Sequence, residues 1–240
     1  MSNAGKRATG VVVATLVVLG LIAWYITSYT SALPTTIKYG VNPVTRTVNV
    51  EMQTVGEIGK KVDPVHPTWV SYLLRSNGHW VHSTIFQVPA HSLVHVRIMQ
   101  YDGASGLRNP FWGHVQGVIG GSMLLDGKRV THIAPENAAH SFAIPQLGVF
   151  VPLEGVEDAQ GEKEEEEHKS PKTIVCSEAP CEPTLEGKEV LHHIVEFAFV
   201  TGGKGKYRWQ CFVPCGAGYL WGNGGPMSTL GYMGGYVEVV

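Results

Sequence analysis

Ile194-Val195-Glu196-Phe197-Ala198-Phe199-Val200, then Gly202-Gly203-Lys204-Gly205, then Tyr207-Arg208-Trp209-Gln210-Cys211-Phe212-Val213-Pro214-Cys215-Gly216 follow one another near the end of this 240-residue chain. The first run has the β-branched and aromatic content of a strand, the glycines read as a hairpin-like turn, and the third run carries a second strand into a tight loop. That loop holds two cysteines four apart. Upstream, His140-Ser141-Phe142-Ala143-Ile144-Pro145 places a histidine at the head of another strand-like run. Thiolates and an imidazole gathered at one end of a β-sandwich are donors that a soft copper ion prefers.

Working outward, the same period-2 signal recurs. Leu93 to Met99 puts Val94, Val96 and Ile98 on one face and Leu93, His95 and Arg97 on the other. Thr47 to Met52, Ser83 to Val88, Ser122 to Leu125, Lys128 to Ile133 and Tyr236 to Val240 also read as strands, and residues 102 to 122 read as a glycine-rich loop. No helical period occurs beyond the N-terminal stretch. The expected fold is therefore all-β, an antiparallel Greek-key sandwich.

The N-terminal stretch from Ala8 to Thr27 carries no charge. Twenty helical residues span roughly 30 Å, the thickness of a bilayer's hydrocarbon core. Lys6 and Arg7 precede it, which predicts a cytoplasmic N-terminus and an extracytoplasmic remainder. Trp24, Tyr25 and Tyr29 suit the outer headgroup level. A cleaved signal peptide is the alternative, with Thr30-Ser31-Ala32 as the cleavage region. The expected organisation is an anchor over 1–30, a linker with leading strands over 31–82, and a sandwich over 83–240 with an acidic insertion at 155–189 that contains Glu164 to Glu167. A net charge of -2 offers no basic field to recruit nucleic acid.

Four cysteines in an exported domain point to disulfides. Cys176 and Cys181 are read as a structural pair, and Cys211 with Cys215 as either an alternative pair or metal ligands. His91 with His95, and His66, His79 and His82 with Trp69 and Trp80, are read as solvated surface groups. No ordered Ser/His/Asp set or nucleotide fingerprint is present, so the chain is not expected to be catalytic alone.

The segments His140 to Val149, Phe197 to Gly216 and Met233-Gly234-Gly235-Tyr236-Val237-Glu238-Val239 resemble, in order and spacing, the copper domain of cytochrome c oxidase subunit II. The resemblance runs from about Ser83 onward and implies a cupredoxin-like sandwich in which His140, Cys211 and Cys215 are ligand positions. It also implies integral membrane subunits of a redox complex as partners. In that family a histidine stands four residues after the second cysteine and a methionine three residues further on. Here those positions are Tyr219 and Gly222, and no histidine follows His193. An intact dinuclear copper site is not expected. What remains is a mononuclear soft-metal set of His140, Cys211, Cys215 and Met233 or Met227, or no metal.

Two functional readings follow. The first is an accessory subunit of a membrane oxidoreductase complex, a haem-copper oxidase or a copper membrane monooxygenase, that docks through Asn109 to Gly121 and Tyr219 to Met233. The second is a copper-binding electron-transfer or copper-delivery protein.

Overall fold

The computed structural model describes residues 3–31, 34–156, 173–176, 178–216 and 224–240. The acidic run Glu164 to Glu167 and the positions Tyr219 and Gly222 lie outside them. The chain divides into two units, Met1–Leu33 and Pro34–Val240.

The first unit is a helix, α1, Asn3–Ser31. Its stretch Arg7–Thr27 is long and apolar enough to cross a membrane. The hydroxyls of Thr9, Thr15 and Thr27 donate back to the carbonyls of Gly5, Val11 and Ala23 at 3.0, 2.9 and 2.9 Å. Each polar group is thus satisfied within the helix, which lowers the cost of placing it in an apolar medium.

The second unit is built from strands β1 Ile37–Lys38, β2 Val48–Val55, β3 Ser71–Ser76, β4 His79–Val81, β5 Ile85–Val88, β6 Leu93–Gln100, β7 Met123–Leu125 and β8 Lys128–Val130. Strands β9 Ala138–Ile144, β10 Val149–Glu154, β11 Thr173–Ile174, β12 Thr184–Leu185, β13 Lys188–Val190, β14 His193–Val200, β15 Gly205–Gln210 and β16 Gly234–Val239 complete it. One sheet runs β4-β3-β2-β6-β14-β7-β8, and the sheet facing it runs β1-β5-β16-β15-β9-β10. The stretch over 31–82 is more than a lead-in, because it supplies β1 to one sheet and β2, β3 and β4 to the other.

The alternation of β6 works as its sequence dictates. Val94, Val96 and Ile98 are fully buried. Phe197 and Phe199 of β14 stand opposite Val96 and Val94 in antiparallel register, so one pleat face is apolar across both strands. The sheets are mixed, which corrects the antiparallel expectation. β2 pairs parallel with β6, and β5 pairs parallel with β16. The reason is connectivity: after β2 and β3 the chain crosses to the opposite sheet as β5 and returns as β6, and a strand that comes back through such a crossover runs in its original direction.

Trp209 of β15 is the centre of the core and is fully buried. Its ring stacks on Phe142 at 5.1 Å and meets Tyr72 edge-on at 5.0 Å. Its indole N–H donates to the Thr84 carbonyl at 2.8 Å. Tyr72 donates its hydroxyl to the Ser141 carbonyl at 3.0 Å, which ties β3 to β9 across the sandwich beside His140.

A smaller core of Val55, Leu73, Met99 and Tyr101 lies with the Cys176–Cys181 disulfide. The Cys181 N–H donates to the otherwise buried Gln53 side chain at 2.9 Å.

Candidate metal centre

His140 lies in β9, where the pairing with β10 slips: Leu153 faces His140, but Glu154 faces Ala138, so Ala139 is an extra residue in the strand. A bulge of this kind re-aims the neighbouring side chain. It turns His140 inward, where the residue is 1% exposed.

Cys211 follows directly on β15. Its N–H donates to the Met233 carbonyl at 2.8 Å, and the next N–H, of Phe212, donates to Ser141 Oγ at 2.9 Å. Cys215 closes the loop. Beyond it Gly216 has φ +97°, and a Cβ there would meet Pro226 at 2.5 Å, so this position admits only glycine.

These constraints bring three donor atoms together. Cys211 Sγ lies 3.2 Å from Cys215 Sγ and 4.0 Å from His140 Nδ1. The ligand atoms of the three residues lie within 4.8 Å of one another. A fourth soft atom, Met227 Sδ, is 3.3 Å from Cys215 Sγ. Met233 is fully buried in the same core cluster as Cys211 and accepts the Cys211 N–H through its carbonyl. Cys211 and Cys215 are free thiols, whereas Cys176 and Cys181 are bonded to each other.

Behind the imidazole, Nε2 is 3.0 Å from Asp102 Oδ2. Asp102 is held in turn by the Gly103 N–H at 2.8 Å. This is the arrangement that orients a ligating histidine: one ring nitrogen donates to a carboxylate and the other presents its lone pair. Cys211 Sγ accepts the Ser141 N–H at 3.3 Å, a hydrogen bond suited to a thiolate. Asp102 and Ser141 were invisible to motif reading, because each becomes a partner only through contacts distant in sequence.

The electrostatics follow the geometry. Burial alone would depress His140, but its hydrogen bonds to Asp102 and Cys211 outweigh burial and raise it to about 9. Burial would raise Cys211, but hydrogen bonds from Cys215 and His140, the imidazolium charge and the Ser141 N–H hold it well below the usual thiol range. The hydrogen bond to Cys211, and then burial, push Cys215 far up. The same contacts thus favour the deprotonated form of Cys211 and the protonated form of His140, and disfavour ionisation of Cys215.

The pH dependence of stability has a definite sign. The raised His140 stabilises fully below 6.5 and loses this as pH rises through about 9. The depressed Cys211 stabilises above its unperturbed value of 9.0 and loses this as pH falls through its folded value. Between its folded value and 9.0 the Cys211 slope opposes the His140 slope, which runs from 6.5 to about 9. Urea titrations should therefore show stability that changes little with pH where the two overlap, and that rises with pH there in His140→Gln, which keeps only the thiolate's slope.

The donor set fits one soft ion. Two sulfurs about 2.3 Å from a single tetrahedral ion stand about 3.8 Å apart, so the observed pair at 3.2 Å needs to open by only about half an ångström. His140, Cys211, Cys215 and Met227 would hold copper, and the sulfur-rich set favours its reduced, softer form. Cys215 borders a cleft of about 370 Å³ lined also by Trp69, Asp102, Gly216 and Pro226, so the site opens on the Cys215 side while Cys211 is fully buried. Asp102→Asn should weaken copper(I) binding about 10- to 100-fold with the fold intact, as read by competition with a chromogenic copper(I) chelator.

The remaining histidines go elsewhere. His193 Nδ1 is 2.7 Å from Asp126, and His192 stacks on Tyr101. His66 stacks on Trp69 and reaches the Tyr232 hydroxyl at 3.0 Å, and His82 lies edge-on to the same tyrosine. His79 and Trp80 lie in β4.

No family model matches the chain, and no curated protein matches it. Two solved structures are similar to it. One is a histidine-to-methionine variant of rusticyanin, at TM-score 0.32 and 16% identity, covering 85% of this chain and 82% of that one. The other is rusticyanin from Thiobacillus ferrooxidans, at TM-score 0.31 and 14% identity over the same shares, 85% and 82%. With its two facing sheets and the cysteine loop that follows β15, the second unit is a β-sandwich, the all-β class expected from the sequence.

Proposed function

We propose that this chain is a membrane-anchored, extracytoplasmic copper protein that holds a single copper ion and delivers it to, or exchanges electrons with, an integral membrane redox complex. The observation that carries this reading is the convergence of two unbonded sulfurs, the Met227 thioether and an imidazole whose far nitrogen is held by Asp102. Copper bound there would supply a one-electron couple or a transferable soft ion. The chain's own residues orient the imidazole, hold Cys211 as a thiolate in a dry environment, and leave Cys215 as the donor a partner could reach. The sulfur-rich set supports delivery of the reduced ion over rapid cycling. Lys6 and Arg7 before the apolar helix, together with the Cys176–Cys181 disulfide, support the outward placement.

The second reading, an accessory subunit without metal, is favoured by one feature. Phe111 and Phe212 are 48% and 39% exposed and border an apolar groove of about 290 Å³ with Trp112, Pro145 and Phe150. Phe212 belongs to the cysteine loop itself, so a partner seated in the groove would touch the site. Full-length protein in mild detergent, reduced and offered copper(I), separates the readings. One copper per chain, lost in Cys215→Ser, supports the copper protein. Failure of the reduced protein to retain copper leaves the accessory role.

A further inference from the structure

On the strap between β6 and β7, His114 stands directly across from His132 in an antiparallel bridge. The flanking hydrogen bonds run from the Val115 N–H to the Thr131 carbonyl at 3.0 Å and from the Ile133 N–H to the Gly113 carbonyl at 2.9 Å. That pattern makes His114 and His132 a non-hydrogen-bonded pair, the kind whose side chains stand closest. Their rings are 5.9 Å apart between centroids and 37° apart in plane. Val115 and Ile133 are buried, only 9% and 7% exposed, so alternation turns both histidines outward, where they are exposed.

The platform is rigid. A Cβ on Gly113 would lie 2.2 Å from the Ile133 carbonyl oxygen, so glycine alone lets the two backbones approach this closely. Two residues on, Gln116 and Phe150 exchange N–H to carbonyl bonds at 2.8 and 3.0 Å and pin the strap's other side. His132 Nδ1 is 3.2 Å from Thr131 Oγ1. The tautomer that donates from Nδ1 to that hydroxyl leaves Nε2 with its lone pair facing outward, as a metal ligand requires.

We infer that His114 and His132 form a second, surface metal site that chelates a divalent late transition ion. Two imidazoles without sulfur select Cu²⁺, Ni²⁺ or Zn²⁺, with Cu²⁺ held most tightly. The site shares no ligand with the cysteine centre and does not depend on that centre binding metal. Two donors fixed on one platform bind as a chelate, so removing either one loses the advantage of the pair, about a hundredfold in affinity.

The test is calorimetric titration of Ni²⁺ into untagged full-length protein in detergent, in a Cys215→Ser background so that the sulfur centre is incomplete in every arm. The variants are His114→Gln, His132→Gln and the double. Both side chains are exposed, and a melting curve checks each fold. The expected result is a loss of about a hundredfold in either single variant, which keeps one imidazole, and loss of this binding event in the double. Unchanged affinity in either single variant would overturn the inference.

Discussion

Cys211→Ser is expected to lower copper(I) affinity by more than about a hundredfold. Loss of a group that merely orients a ligand costs about 10- to 100-fold, and Cys211 is itself a ligand and the thiolate of the site. It is the donor held well below the usual thiol range, and it stands between the other two, 3.2 Å from Cys215 and 4.0 Å from His140. Serine preserves its size and can still accept the Ser141 N–H, so the melting temperature should move little while the metal is lost. His140→Ala should produce a similar loss. Met227→Leu should produce a smaller one, because a thioether is a weak donor next to thiolates. Chelator competition on the three variants gives the order, and retention of tight copper(I) binding by Cys211→Ser would remove the thiolate from the account.

Trp209→Ala should destabilise the sandwich by about 3–5 kcal/mol. The ring is fully buried between Phe142 and Tyr72, and removing it leaves a cavity bounded by both sheets, which cannot close without moving one of them. At about 2–4 °C per kcal/mol for a domain of this size, the melting temperature should fall by about 6–20 °C. Trp209→Phe should cost much less, since the Thr84 carbonyl also accepts the Tyr236 N–H at 3.1 Å and is not left unpaired. Equal losses in the two variants would mean that the hydrogen bond, and not the packing, holds this centre together.

The strands with clean alternation were legible before any coordinates. Leu93 to Met99 and Ile194 to Val200 appear as β6 and β14 within a residue or two. Strands β3 and β10 were missed for a physical reason: Ser71 to Leu74 and Val149 to Leu153 are buried on both faces, so no alternation of exposed polar with buried apolar residues marks the period. The parallel pairings were hidden because sheet order depends on the crossing through β5, which no local pattern records.

At the site, the Cys-x3-Cys loop and His140 could be read from residue type and spacing. The bulge at Ala139 could not, and neither could the Asp102 contact, which joins residues 38 apart in sequence. Of the two methionines weighed, the fold sets Met227 Sδ 3.3 Å from Cys215 Sγ, a contact twelve residues apart that spacing alone does not record. The His114–His132 pair left no sequence signal, since the residues come from segments that each read as ordinary loop or strand.

The account rests on one soft ion held by sulfur and a single imidazole. Copper-edge X-ray absorption on the reduced, copper-loaded full-length protein tests this most directly. The predicted spectrum has a first shell dominated by sulfur with one imidazole nitrogen and no scattering between metals. A copper–copper vector, or a shell of nitrogen and oxygen alone, would contradict it.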